Sequence, residues 1–337
     1  MSNRIGYAVV GLGRIAEFAV LPAFAHSKKS KLVAVVSGDP RKARRLAAKF
    51  RAAAYYTYDG YAGCLDDPRV QAIYIATTNG THAEYTIRAA EAGKHVLCEK
   101  PMANTVEECR AMIDACRRHR VRLMIAYRKY FEPASLALKK LVDAGKLGRL
   151  RIIHSAFTIF LPKKAPAWHL SQKQAGGGAL MDLGVYCVNT ICWLAGLPPL
   201  EVSATAWTVD PARFKEVEES IAFQLAFPEG LIAQASASFG AAQASFLHVH
   251  GEHGWAALDP AYAYDDDRRL FGEIGGRWFD SRFKPMDEFV LELDAFADCI
   301  RRGRNPEPDG RQGLRDVAVM QAIYRAARED RGIAVNA

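Results

Sequence analysis

No two of the seven cysteines stand in a Cys-x-x-Cys pair; they are scattered at Cys64, Cys98, Cys109, Cys116, Cys187, Cys192 and Cys299. That excludes the paired ligands of structural zinc sites and thioredoxin-like redox motifs, and the odd count reads as reduced, mostly buried thiols. No metal site is expected. Nowhere do about 18 apolar residues run uninterrupted, so no membrane span is expected. The opening MSNRIGYAVVG has no basic segment followed by a long apolar one. No export signal is therefore expected, and the reading places the chain in the cytoplasm. Internal repeats and low-complexity segments are also missing. The net charge of +8, from 45 basic and 37 acidic residues, is spread along the chain apart from local clusters such as residues 41–51. Such a distribution suits anionic small ligands better than a nucleic-acid tract.

Half of the 337 residues are apolar, and a chain of this length exceeds one ordinary core, so two domains are expected. Over residues 1–126 short apolar runs alternate with helical periods. The runs are 5–10, followed by a helix from Arg14, then 31–36, 72–76, 95–98 and 122–126. These βα steps predict an α/β fold with an N-terminal, doubly wound parallel sheet of the Rossmann type. Thr105 and Glu108 form a capping box ahead of Val106, Cys109, Met112, Ile113 and Cys116, which share a helical face. Gly93 stands where a glycine ends a helix.

Beyond about residue 150 the texture changes. The runs "LRIIHSAFTIFL", "EVSATAWTV", "ESIAFQLAF", "GLIAQASASF" and "SFLHVHG" are strand-like and separated by short turns. They predict a C-terminal α+β domain, residues 127–337, on an open, mostly antiparallel sheet, with helices near 289–301 and 313–329 packing back.

Gly11-Leu12-Gly13-Arg14-Ile15-Ala16 follows the first strand and opens a helix. Gly11 permits the tight turn, Gly13 lets the backbone approach a pyrophosphate, and Ala16 allows close helix packing, so a dinucleotide is expected at the helix N-terminus. The second strand ends "VAVVSGDPRKARR", and here the usual ribose-binding carboxylate is missing: Ser37 holds its place. Arg41, Lys42, Arg44 and Arg45 follow, suited to a 2′-phosphate. Asp39 is a rival ribose ligand, and the basic run also reads as an ordinary solvated helix face. NADP is favoured, with NAD as the alternative.

Ligands of open α/β sheets bind at the carboxyl ends of the strands. There stand Thr77, Thr78, Asn79 and His82 in "ATTNGTH", and Glu99, Lys100 and Pro101 in "LCEKPM". A lysine at a strand end points into the crevice, and the following proline, in trans or cis, fixes its direction. Taken singly, Lys100 also reads as a surface lysine in a turn, and His82 as a structural histidine. Further on, "AGGGALMDLGVYCVN" puts Asp182 and Tyr186 four residues apart on one helical face after three glycines. Those glycines are read as letting the helix start close to the substrate, with its backbone amides facing the crevice.

Together G-x-G-x-x-A, T-T-N-x-x-H, E-K-P, Y-R-x-x-x-x-P (Tyr127, Arg128, Pro133) and G-G-G-x-L-x-D-L-G-x-Y (Gly176 to Tyr186) resemble the Gfo/Idh/MocA oxidoreductases over essentially the whole chain. The likeness is closest to the glucose-fructose oxidoreductase branch, through "LPAF", "HVLCEKPMA" and "QAIYRAAR". The resemblance implies hydride transfer between a nicotinamide and a sugar or polyol where the two domains meet. Lys100, Asp182 and Tyr186 are then the acid–base machinery, Glu99, Tyr58 and Arg128 lie near the cofactor, and Tyr127 and Trp168 lie near the substrate. Unaided by the resemblance, Tyr58 and Arg128 read as surface residues. His169 replaces the arginine of the family's Trp-Arg pair, and Thr78 replaces a common proline. A dihydrodiol or imine reductase on the same scaffold, or a non-catalytic dinucleotide-binding sensor, are the alternatives. A homodimer or homotetramer through the C-terminal sheet is expected, with neither nucleic acid nor membrane as partner.

Overall fold

The computed structural model describes residues 4–264 and 266–335. The chain divides into two compact units. The first runs to Arg128 and takes in Asp287–Leu314; the second is Lys129–Met286 with the chain from Arg315 onward.

In the first unit, strands β1 (Ile5–Val10), β2 (Ser30–Val36), β3 (Ala54–Tyr56), β4 (Ala72–Ile75), β5 (His95–Glu99) and β6 (Leu123–Ala126) form an all-parallel sheet. The order is β3-β2-β1-β4-β5-β6, with its reversal between β1 and β4. That order is the dinucleotide-binding arrangement, in which ligands lie beyond the carboxyl ends of the strands. Every residue of β1, β4 and β6 is buried, which explains their continuous apolar runs. The capping box is present: Thr105 Oγ1 accepts from the Glu108 amide at 3.1 Å, and Glu108 Oε2 accepts from the Thr105 amide at 3.0 Å. Gly93 follows the helix His82–Glu91 in the left-handed region, at φ 71°.

Residues 287–314 were expected with the second domain, but they lie in the first unit. The helix Glu288–Arg302 buries Phe289, Leu293 and Phe296. It is fastened to the start of β2, where Ser30 Oγ donates to the Leu293 carbonyl at 3.0 Å and the Lys29 amide donates to Asp294 Oδ1 at 3.0 Å.

Among the described residues the second unit is built on nine strands: β7 (Leu150–Phe160), β8 (Glu201–Trp207), β9 (Ser220–Ala226), β10 (Ile232–Ser238), β11 (Gly240–Gly251), β12 (Gly254–Asp259), β13 (Arg268–Ile274), β14 (Arg277–Phe283) and β15 (Ile333–Ala334). Their order is β14-β13-β12-β11-β7-β10-β9-β8-β15. All neighbours are antiparallel except β7 and β10. The helix Val185–Ala195 covers one face, against β7 and β10. On the other face Ile152 pairs in register with Ile232, and Trp207 and Trp278 stand 71% and 57% exposed. One stretch of the described residues, Gln172–Ala195, is long and apolar enough to cross a membrane, but it is mostly buried as this core helix.

Candidate active site

Gly11 leaves β1 at φ 90°, and a Cβ there would lie 2.4 Å from the Ala76 carbonyl oxygen beyond β4. Only glycine fits that close approach. Where a Cβ on Gly13 would stand, no atom of the described residues comes within 4 Å, so the backbone there is open to a ligand. Leu12 is buried, Arg14 exposed and Ile15 half-buried, while Ala16 is fully buried against the sheet. The helical turn begins at Arg14, and its first amides, which lack partners within the helix, suit an anion.

Ser37 closes β2 with its hydroxyl accepting from the Asp39 amide at 3.2 Å. Asp39, the rival ribose ligand, is engaged otherwise. Its carboxylate caps the helix Pro40–Phe50, accepting from the Arg41 and Lys42 amides at 2.9 and 3.1 Å. Part of the basic run is occupied too. Arg45 reaches Glu17 at 3.2 Å, with Lys42 and Lys49 each at 4.0 Å, and the Arg45 hydrogen bond holds Glu17 below the usual carboxylate range. Arg41 and Arg44 are exposed. Tyr58 lies against the end of β2, its ring 3.1 Å from where a Cβ on Gly38 would stand. An open glycine backbone, a helix N-terminus and a strand end without a ribose-directed carboxylate fit a dinucleotide.

Lys100 leaves β5 half-buried, and its bond to Pro101 is cis. Glu99 is buried; it accepts from the Tyr74 hydroxyl at 2.8 Å and from the Lys100 amide at 3.2 Å. Burial pushes the Glu99 carboxyl up, opposed by the Lys100 charge and the Tyr74 hydrogen bond. His82 is fully buried. Its Nδ1 lies 3.0 Å from the Pro101 carbonyl and its Nε2 3.3 Å from the Thr77 carbonyl. Burial brings its pKa down to about 4, so the ring is neutral near pH 7 and one N–H donates. His82 therefore ties the turn after Lys100 to the loop after β4. In that loop Thr81 Oγ1 lies 2.9 Å from both Thr77 Oγ1 and the Thr78 carbonyl, and Asn79 is buried. Arg128 is not a surface residue: it is buried in an ion pair with buried Glu288, and Tyr127 beside it is buried as well.

In the second unit Gly176 adopts φ 78°. A Cβ on Gly177 would fall 1.9 Å from the Tyr324 hydroxyl oxygen, and one on Gly178 would fall 1.9 Å from the Glu218 carbonyl oxygen. The Glu218 carboxylate accepts from the Gly178 and Leu180 amides at 2.9 and 2.8 Å, and from the Tyr324 hydroxyl at 3.0 Å. This corrects the expectation that the amides at this helix start face a crevice. Two of them are capped from within the unit, and the glycines serve the close approach of Glu218 and Tyr324.

The helix opens with a π turn, Leu180–Gly184, and becomes α-helical at Val185; such widened turns are frequent at functional sites. Asp182 lies in the π turn, half-buried, and Tyr186 is buried one turn on. The Tyr186 ring packs edge-on against Phe157 at 5.5 Å between centroids, and its hydroxyl is 3.5 Å from that of Tyr264. His169 Nδ1 stands 3.7 Å from Asp182 Oδ2, with the Trp168 ring stacked on it at 3.8 Å. His169 and Tyr264 thus join Trp168, Asp182 and Tyr186, although the sequence marks His169 only as the replacement for the family's arginine. Nothing local in the sequence points to Tyr264.

Residues 5–127 match the family model described as oxidoreductase family, NAD-binding Rossmann fold, and residues 135–257 match the GFO/IDH/MocA C-terminal domain. The chain is 32% identical to a D-xylose 1-dehydrogenase [NADP(+)] of Haloarcula marismortui over 97% of its own length and 92% of that protein's. It is 33% identical to a 1,5-anhydro-D-fructose reductase of Ensifer adhaerens over 82% and 85% of the two lengths. Among solved structures, the aldose-aldose oxidoreductase of Caulobacter crescentus, complexed with glycerol, superposes with a TM-score of 0.94 at 38% identity, covering 98% of this chain and 100% of that one. With both halves matched and relatives of this identity along nearly its full length, the chain belongs to the Gfo/Idh/MocA oxidoreductase family.

Proposed function

We propose that this chain is an NADP(H)-dependent oxidoreductase moving a hydride between the nicotinamide and a sugar or sugar-like substrate, with Lys100 and Tyr186 as its acid–base pair. The observation that carries this reading is the setting of Lys100, held at the end of β5 between the buried carboxylate of Glu99 and the turn fastened by neutral His82. Glu99, Lys100, His82, Asp182 and Tyr186 also occupy the motif positions that carry the family resemblance. The aldose class is favoured by relatives named as a D-xylose dehydrogenase and an aldose-aldose oxidoreductase.

When bound, the nicotinamide accepts or returns the hydride. The chain's own residues must handle the proton. Oxidising a hydroxyl releases one proton as the hydride leaves, and a phenol with pKa near 10 is a poor base at neutral pH unless a nearby ammonium stabilises the phenolate. Lys100 supplies that ammonium and Tyr186 takes the proton; reduction runs the same transfer backward. Asp182, with His169 beside it, holds a second substrate hydroxyl. Trp168 supplies an apolar face for a sugar ring, and Tyr127 is placed with the substrate. In the cofactor-binding set, Leu12, Gly13, Arg14 and Ile15 face the pyrophosphate, Tyr58, Thr77, Thr78 and Asn79 line the dinucleotide, and Arg128 holds the cluster behind it. Ser37 and Arg41, with Lys42 in support, meet the 2′-phosphate; the engagement of Asp39 in its helix cap supports NADP over NAD.

The exposed face of the second unit's sheet, with Trp207, Trp278, Ile152 and Ile232, is the surface through which copies of the chain associate. Sedimentation of wild type and Trp207→Glu tests this: the variant should shift toward monomer, and identical sedimentation as a monomer for both would refute it. The functional reading itself is tested by fluorescence titration with NADP(H) and NAD(H), followed by a panel of aldoses, ketoses and anhydrosugars monitored by NADPH absorbance. Absence of NADP(H) binding would overturn it.

A further inference from the structure

Behind Lys100 the first unit buries a third carboxylate whose role the reaction above leaves open. Glu292, on the helix Glu288–Arg302, has no exposed surface, and among the described residues neither carboxyl oxygen has a hydrogen-bond donor within hydrogen-bond distance. The titratable and charged groups facing it come from each packed element: Tyr7 on β1, Tyr74 on β4, Glu99 on β5, Arg128 after β6, and Glu288 on its own helix. The two cations at this cluster already have carboxylates. Arg128 pairs with Glu288, and Lys100 acts on Glu99. An ionised Glu292 would add an unbalanced charge with no donor to solvate it, which is the costliest form a buried carboxyl can take. The Tyr74 hydroxyl has its one hydrogen committed to Glu99 Oε1 at 2.8 Å, so toward Glu292 it offers only an oxygen lone pair. A carboxylate there is repelled, whereas a carboxylic acid has a proton to donate to it.

We propose that Glu292 is a positioning residue for the reaction at Lys100: as a neutral carboxylic acid it donates to the Tyr74 oxygen, which fixes the Tyr74 O–H on Glu99 and keeps that carboxylate ionised beside Lys100. No bond other than hydrogen bonds changes, and no proton leaves the cluster. This rests on the proposed role of Lys100. Burial acts in the same direction, raising the Glu292 carboxyl well above its ordinary range; the Glu99 charge adds to it, and Arg128 and the Tyr74 hydroxyl oppose it without cancelling it.

Two measurements test it. The first needs no turnover: the infrared spectrum of wild type minus Glu292→Gln at pH 7 should show the carbonyl stretch of a protonated carboxylic acid, and a carboxylate band in its place would overturn the proposal. The second is the pH profile of NADP+ reduction with D-xylose as the probe aldose, or with whichever aldose the panel identifies. In Glu292→Leu and Tyr74→Phe, Glu99 loses its oriented donor and the ammonium beside it loses part of its counter-charge, so the alkaline limb of the profile should move to lower pH by about one unit. Glu292→Gln, which keeps a neutral donor, should restore the limb to its wild-type position. A Gln variant that shifts as far as the Leu variant would overturn the proposal, as would a Leu variant that lowers the rate without moving the limb. If Glu292→Leu fails to fold, Tyr74→Phe and the infrared measurement still decide. Lys100→Ala separates the two readings. Full turnover in that variant sinks the role of Lys100 while the Glu292 spectrum stands, and an ionised Glu292 beside an inactive Lys100→Ala sinks only the present inference.

Discussion

Acid should loosen the tie that His82 makes behind the E-K-P turn, and by a calculable amount. The free imidazole titrates near 6.5, and in the fold burial brings it down to about 4. Between those values the unfolded chain binds a proton that the native ring refuses. The contribution of His82 to stability is therefore complete above pH 6.5 and declines as pH falls toward 4. At ~1.4 kcal/mol per unit the whole effect is about 3 kcal/mol, of which about 2 kcal/mol is lost between pH 7 and pH 5. His82→Asn keeps a donor within reach of the Pro101 carbonyl but does not titrate. Equilibrium urea unfolding of both proteins at pH 7 and pH 5, followed by circular dichroism, isolates this one group, since every other carboxylate and histidine is common to the pair. The variant should start about 1–2 kcal/mol less stable at pH 7, because the lost ring leaves a cavity. That gap should then close or reverse at pH 5. An equal gap at both pH values would refute a neutral, buried His82.

Gly178→Ala places a Cβ 1.9 Å from the Glu218 carbonyl oxygen; we expect a loss of about 3 kcal/mol or more, read as a fall in Tm, because backbone on both sides must shift. Ser37→Asp should reverse the cofactor preference by adding the missing ribose-directed carboxylate. Arg41→Ala should weaken NADP+ by about 10-fold, as expected for one charge-assisted hydrogen bond, and leave NAD+ nearly unchanged. Isothermal titration with each dinucleotide reads both, and equal losses for NADP+ and NAD+ would remove Arg41 from the 2′-phosphate. Tyr186→Phe should lower kcat by about 10² to 10⁴ with NADP+ affinity retained, the usual scale of positioned acid–base catalysis.

Much of the first unit is legible locally. A parallel strand buried on both faces must be a continuous apolar run, and Thr105 and Gly93 act on neighbours within a few residues in sequence, whereas Gly11 is legible from its motif although the atom that excludes its side chain, the Ala76 carbonyl oxygen, is distant in sequence. What escaped reading depends on partners far away. Glu218 caps amides some forty positions earlier in the chain, so "AGGGAL" shows that side chains are excluded there but not what excludes them. The helix Glu288–Arg302 has a plain 3.6-residue period, yet that period does not say which sheet it covers; the fastening by Ser30 and Lys29 decides it. Strands β13 and β14, "RRLFGEI" and "RWFDSRF", are rich in charge: β14 is mostly exposed at the edge of the sheet, and β13 even buries Arg268, so their apolar signal is faint. Asp182 and Tyr186 are evident as polar residues on an apolar helix, whereas the π turn that carries Asp182 and the approach of His169 have no signature in spacing.

The most direct test of the account is NADPH formation or consumption by wild type and Lys100→Ala across a panel of aldoses, ketoses, anhydrosugars and a trans-dihydrodiol, with cofactor binding measured in parallel. The account predicts that at least one sugar supports turnover with NADP(H), and that Lys100→Ala binds the cofactor as wild type does while losing about 10² to 10⁴ in kcat. Turnover of the dihydrodiol alone, or a Lys100→Ala variant as fast as wild type on an identified sugar, would contradict it.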